Sequence, residues 1–169
     1  MRAALLTILL AGALAVGAWS KYSAVRADLV RQREAIDSEW SLVDIALQRR
    51  AELISKLLPP RGRVGAEELW SELEKASAAL EAATSPRAKI DANNRISALL
   101  AELPGTEPTQ AMLRLSDAEN RIAVERRRYN ELLEHYNAQI QRFPDNIVAS
   151  LAGFSRDDAY VPTDGGTQH

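Results

Sequence analysis

Residues 22–58, YSAVRADLVRQREAIDSEWSLVDIALQRRAELISKLL, decide the fold. Tyr22, Val25, Leu29, Gln32, Ile36, Trp40, Val43, Leu47, Ala51, Ile54 and Leu58 recur at steps of three and four, and nearly all are apolar. That is the period of a straight α-helix with one buried stripe. The stretch predicts a single long helix ended by Pro59-Pro60, since proline lacks the backbone N–H and its ring clashes with the preceding turn.

Upstream, Ala3 to Ser20 carries no charge and is bracketed by Arg2 and Lys21. A helix over this segment spans ~27 Å at about 1.5 Å per residue, near the hydrocarbon thickness of a bilayer. Residues 1–21 therefore read as a transmembrane anchor. A cleavable signal peptide, cut after Ala13, Ala15 or Ala18, is the competing reading. Trp19 and Tyr22 stand where interfacial aromatics belong, and no Pro or Gly-rich break separates the apolar run from the helix that follows, which favours retention. A retained anchor continuous with the long helix would stand the rest of the protein rigidly on the membrane. Lys21, Arg26, Arg31 and Arg33 outnumber Arg2, but Asp28 and Glu34 lie among them, so the side of the membrane is left open.

Downstream, Arg61 to Gly65 reads as a loop. Leu69, Trp70, Leu73, Ala76 and Leu80 form a short amphipathic helix that stops before Ser85-Pro86. Ser85 caps a third helix with Pro86 in its first turn and Ile90, Ile96, Leu99, Leu100 and Leu103 inside; Pro104-Gly105 closes it. Thr106 or Thr109 caps the last long helix, whose stripe is Met112, Leu115, Glu119, Ile122, Arg126, Tyr129, Leu133, Tyr136, Ile140 and Phe143, up to Pro144. Ile147, Val148, Leu151 and Phe154 are spaced for one short amphipathic turn. Residues 155–169 are polar and Gly-containing and read as a disordered tail. The expected architecture is all-α: a transmembrane helix, then an antiparallel four-helix bundle over 22–154 with two long and two short helices.

Several function classes are excluded by composition. The 169 residues hold no cysteine, which removes disulfides, thiolate metal sites and cysteine nucleophiles. A formal net charge of −2 gives no overall drive toward nucleic acid. Arg126-Arg127-Arg128 with Arg121 is the one dense basic cluster, and Glu119, Glu125, Glu131 and Glu134 interleave with it, as on a solvated, internally paired face. His135 follows Glu131 by four, a spacing that can hold a metal only with further ligands, so it reads as a surface histidine. No nucleophile–base pair, phosphate loop or paired-acid signature appears, so neither an enzyme nor a cofactor is expected.

Glu119 and Arg126 occupy stripe positions that would normally be apolar. Buried charge is costly unless paired, so partners such as Arg33, Asp37 or Asp44 are expected, with a cation-binding pocket as the alternative. Asn130 and Asn137, each preceded by a tyrosine (Tyr129, Tyr136) and seven residues apart, share one helix face. They read as a packing-specificity device, or alternatively as a peptide groove with tyrosine anchors.

Glu119-Asn120-Arg121-Ile122-Ala123-Val124, Arg126-Arg127-Arg128-Tyr129-Asn130, Tyr136-Asn137 and Arg142-Phe143-Pro144 through Gly153-Phe154 resemble the signature run of the LemA family of bacterial membrane-anchored proteins. Trp40-Ser41, Asp44-Ile45, Leu47, Arg49-Arg50 and Leu53-Ile54 fit its other block. Arg26-Ala27 and Ser55-Lys56 depart from it, and the family's long continuation is replaced here by Pro59-Pro60 and a short loop. The resemblance implies a single-pass protein of the bacterial inner membrane with a four-helix fold, and carries over no catalytic or metal residues. Its motif residues Trp40, Asp44, Arg49, Arg50, Glu119, Asn120, Arg121, Tyr129, Asn130, Tyr136 and Asn137 are the candidate interaction residues. The expected function is a non-enzymatic, membrane-tethered interaction or scaffold module, with membrane lipid and other proteins as partners; a ligand- or ion-sensing bundle is the alternative.

Overall fold

A computed structural model describes residues 2–57, 67–102, 110–157, 159 and 161. The expected stop at Pro59-Pro60, the 61–65 loop, Leu58, Leu103, Pro104-Gly105, the Thr106 or Thr109 cap and the Met112 side chain lie outside the described residues. All regular structure among the described residues is helical: α1 Arg2–Leu57, α2 Glu67–Ala82, α3 Pro86–Glu102, α4 Gln110–Gln141 and α5 Asp145–Leu151. The chain divides into two compact units, Met1–Ile36 with Leu132–Asp157, and Asp37–Glu131 with Asp158–His169.

The first unit contains the N-terminal part of α1, the C-terminal part of α4, and α5. α1 has no break between the apolar segment and the helix that follows it. Its first turns expose Leu5, Leu6, Ile8, Leu9, Leu10, Leu14, Val16 and Trp19, each more than 60% accessible. An 18-residue window there has a mean hydropathy of 1.6 and none of it is buried, so by length and composition the helix can cross a membrane. Trp19 stacks on Tyr22 with ring centroids 5.8 Å apart. Further along, α1 changes character and buries Val25, Leu29 and Ile36, while α4 buries Leu133, Tyr136 and Ile140.

α5 turns inward only part of the expected face of Ile147, Val148, Leu151 and Phe154. Val148 and Ala149 are buried, whereas Ile147 and Leu151 are 51% and 74% exposed, and Phe143, expected inside α4, is 77% exposed. A seven-residue helix offers two adjacent apolar faces, and spacing alone does not choose between them. α5 ends in a Schellman motif: Phe154 N–H donates to Ala149 O at 2.9 Å and Gly153 N–H to Ser150 O at 3.3 Å. Gly153 takes φ +76°, a left-handed conformation that a Cβ disfavours.

The second unit holds the rest of α1, with α2, α3 and the first part of α4. Ile54, Leu73, Ala76, Leu80, Ala92, Ile96, Leu99 and Leu115 form one core cluster to which all four helices contribute, with Leu69, Trp70 and Leu100 packed against it. α2 and α3 pack on each other. The tight α2–α3 connection is set locally, as expected. Ser85 Oγ accepts from Ala88 N–H at 3.2 Å and Ser85 O from Lys89 N–H at 3.0 Å, with Pro86 as the first helical residue.

Candidate functional site

In the second unit, α1 and α4 leave an open cleft of about 430 Å³. Leu42, Ile45, Ala46, Arg49 and Leu53 line it from α1, and Arg114, Asp117, Ala118, Arg121 and Glu125 from α4. Both sets repeat at three and four residues, so each is one helix face. Leu42 is 44% and Ile45 61% exposed. Arg49, Arg114 and Arg121 enter none of the ion pairs seen among the described residues. The cleft combines aliphatic side chains with three guanidinium groups outside those ion pairs and with the carboxylates of Asp117 and Glu125.

Directly behind this cleft face, Arg50 is 2% exposed. Its Nη1 donates to the Asn93 side-chain oxygen and, at 3.3 Å, to the Asn93 backbone oxygen; its Nη2 donates to Ser97 Oγ at 2.9 Å. Ser97 Oγ passes its own proton toward Glu119 Oε1 at 2.6 Å, and Arg50 Nη2 lies 3.7 Å from the same oxygen. Burial pulls the guanidinium below its usual pKa, and Glu119 pulls it back up. Glu119 therefore finds Arg50, in place of the expected Arg33, Asp37 or Asp44, and it is exposed where a buried carboxylate was expected. The inward position on that turn of α4 falls to the half-buried Ala118.

A second carboxylate environment was not foreseen. Glu125, expected on a solvated face, is 8% exposed. It pairs with Arg128 at 3.1 Å and neighbours the half-buried Glu39. Burial first, then the neighbouring Glu125, push the Glu39 carboxyl above its usual range, with Arg128 opposing. Arg126 is also buried, as its stripe position predicts.

The two Tyr-Asn pairs each grip backbone from residues expected to be disordered. In the first unit, Tyr136 OH donates to Ser155 O at 3.0 Å, Asn137 Nδ2 donates to Asp157 O at 2.7 Å, and Asp157 N–H donates to Asn137 Oδ1 at 2.9 Å. Burial raises the pKa of the Tyr136 hydroxyl. In the second unit, Tyr129 OH donates to Ala159 O at 3.3 Å, Asn130 Nδ2 donates to Val161 O, and Val161 N–H donates to Asn130 Oδ1 at 3.0 Å. Val161 is fully buried, and Trp40 packs on Tyr129 at 5.4 Å. The tail expectation thus fails at Ser155, Asp157, Ala159 and Val161, because polar composition gives no sign of bonds made by backbone; the rest of 158–169 lies outside the described residues.

The remaining candidates are dispersed. Asp44 holds Lys89 and accepts from Gln48 at 3.1 Å. Asn120 is exposed. His135 is exposed with Nδ1 3.2 Å from Gln32 Oε1, and the described residues hold no group of three or more His, Asp or Glu able to bind a metal.

A sequence model of the LemA family matches residues 39–168, which includes the cleft, the Arg50 layer and both Tyr-Asn pairs. No curated protein matches the chain. With a family match over most of its length, this chain belongs to the LemA family.

Proposed function

We propose that the protein is a non-enzymatic, membrane-tethered interaction module, held in the bacterial inner membrane by the first part of α1 and docking another protein on the α1–α4 cleft face. An antiparallel arrangement of two long and two short helices is the reading supported by the core that α1 to α4 share. The observation that carries the proposal is the cleft itself: exposed Leu42 and Ile45 beside the guanidiniums of Arg49 and Arg121. Exposed aliphatic surface rimmed by arginine is what a recognition face offers, and arginine is enriched at such sites. The ligand-sensing alternative draws on Glu119 and Arg126 in the helix seam. Arg126 is buried, but Glu119 is exposed and engaged by Ser97 and Arg50, which removes the carboxylate half of that motive.

The test is site-specific photo-crosslinking of the full chain in its native membrane. A photoreactive residue at Ile45 should give one discrete adduct, absent when the probe sits at exposed Glu74 on α2 and lost in the Arg49→Glu, Arg121→Glu double variant. No adduct at Ile45, or the same pattern at both positions, overturns the docking face.

A further inference from the structure

We propose that Trp40, Tyr129 and Asn130 form a binding subsite for an extended peptide with an aliphatic side chain, occupied in this structure by the chain's own Ala159 and Val161, which a partner's peptide of that chemistry replaces. The Asn130 amide both donates to and accepts from the backbone of one residue, Val161. That two-way pairing is what a neighbouring strand offers an extended residue, and it reads peptide backbone irrespective of side chain for any residue with an N–H. Two residues earlier, Tyr129 OH reads the Ala159 carbonyl at 3.3 Å.

Selectivity comes from one position. The Val161 side chain is 0% exposed, so the subsite encloses an aliphatic side chain, and Trp40 packs on the Tyr129 ring with centroids 5.4 Å apart. A buried amide on a helix is costly unless both its groups are satisfied, and here both are satisfied only by the segment it holds. The same device, a tyrosine hydroxyl on one carbonyl and an asparagine amide on the backbone two residues later, is built again in the first unit from Tyr136 and Asn137. There Asp157 is half-buried and polar, so the enclosed aliphatic side chain distinguishes the second-unit subsite.

A cis occupant on a short tether competes at an effective concentration on the order of millimolar, so free peptide binds weakly until the segment is released. The experiment uses the full chain in detergent and a fluorescent peptide of residues 157–163, DDAYVPT, read by anisotropy. Val161→Asp places a carboxylate in that enclosed position and expels the segment. The expected result is at least tenfold tighter peptide binding to that variant than to the unaltered chain, abolished by adding Asn130→Leu and abolished when the peptide itself carries Asp for Val. Should Val161→Asp prevent folding, Val161→Gly empties that position without introducing charge and carries the same expectation. A folded variant that binds peptide no tighter than the unaltered chain overturns the proposal. So does a chain that neither variant allows to fold, since the segment is then an inseparable part of the core.

Discussion

Arg50 takes a full charge into a core position, and what surrounds it decides the cost. Removing one of its acceptors takes a hydrogen bond from a buried charge: Asn93→Leu should destabilise the protein by about 1.5–3 kcal/mol in chemical denaturation. Replacing the charge itself with an apolar side chain of similar length strands the buried Asn93 side-chain oxygen, so Arg50→Met should cost about 1–3 kcal/mol, and only the Arg50→Met, Asn93→Leu double variant should recover most of that loss. Glu119→Gln, with its carboxylate half in water, should cost under about 1 kcal/mol. Glu39 behaves oppositely to a salt-bridged acid. Its carboxyl is held above the usual range, so its protonated form is the one the fold favours and its contribution is lost as pH rises through the raised value. Glu39→Gln should therefore raise the urea midpoint at pH 7, with the gain shrinking as pH falls toward the ordinary carboxylate range. Arg50 was within reach of a sequence reading, since Val43, Leu47, Arg50 and Ile54 are spaced four, three and four and all are buried. The apolar pattern steps to Ala51 instead, because hydropathy cannot signal a charge that a neighbouring helix satisfies. Glu119 was misplaced for the complementary reason: Leu115, Ala118 and Ile122 fit the same rotation.

Elements were legible where their causes are local. Ser85-Pro86 writes its own helix start, and Ser85→Ala should cost about 1 kcal/mol, measured as a lower thermal midpoint. Gly153→Ala should cost about 1 kcal/mol or more through its positive φ, although a Cβ there meets nothing within 4 Å. The stripes of α2 and α3 follow from spacing, with Leu73, Leu80, Ile90, Ile96 and Leu99 buried as their period demands. The inward face of α5 and the hold on Ser155, Asp157, Ala159 and Val161 were not legible. The first depends on which of two adjacent faces meets a neighbour, and the second on hydrogen bonds from Tyr129, Asn130, Tyr136 and Asn137 to peptide groups that every sequence possesses. Asn130 and Asn137 stand out by their spacing, but the pattern implies a neighbouring helix where the backbone of Val161 and Asp157 stands.

At the scale of the molecule, one helix serves two solvents. α1 presents Leu5 to Trp19 fully to its surroundings and then buries Val25, Leu29, Val43, Leu47 and Ile54 within the protein. Each large aliphatic side chain moved out of water contributes roughly 1.5–3 kcal/mol, so the first turns of α1 favour hydrocarbon over water by a wide margin. The cleft face, by contrast, mixes Ile45 and Leu42 with arginine and belongs in water until a partner covers it. The absence of cysteine makes this division directly measurable with single Leu9→Cys and Ile45→Cys variants of the full chain in sealed membranes, labelled with a membrane-impermeant maleimide. If the first part of α1 spans the membrane, Leu9→Cys stays unlabelled until detergent is added, while Ile45→Cys is labelled in one orientation of the membrane without detergent. Equal labelling of both positions in sealed membranes, or a mature chain that lacks residue 9, would contradict it.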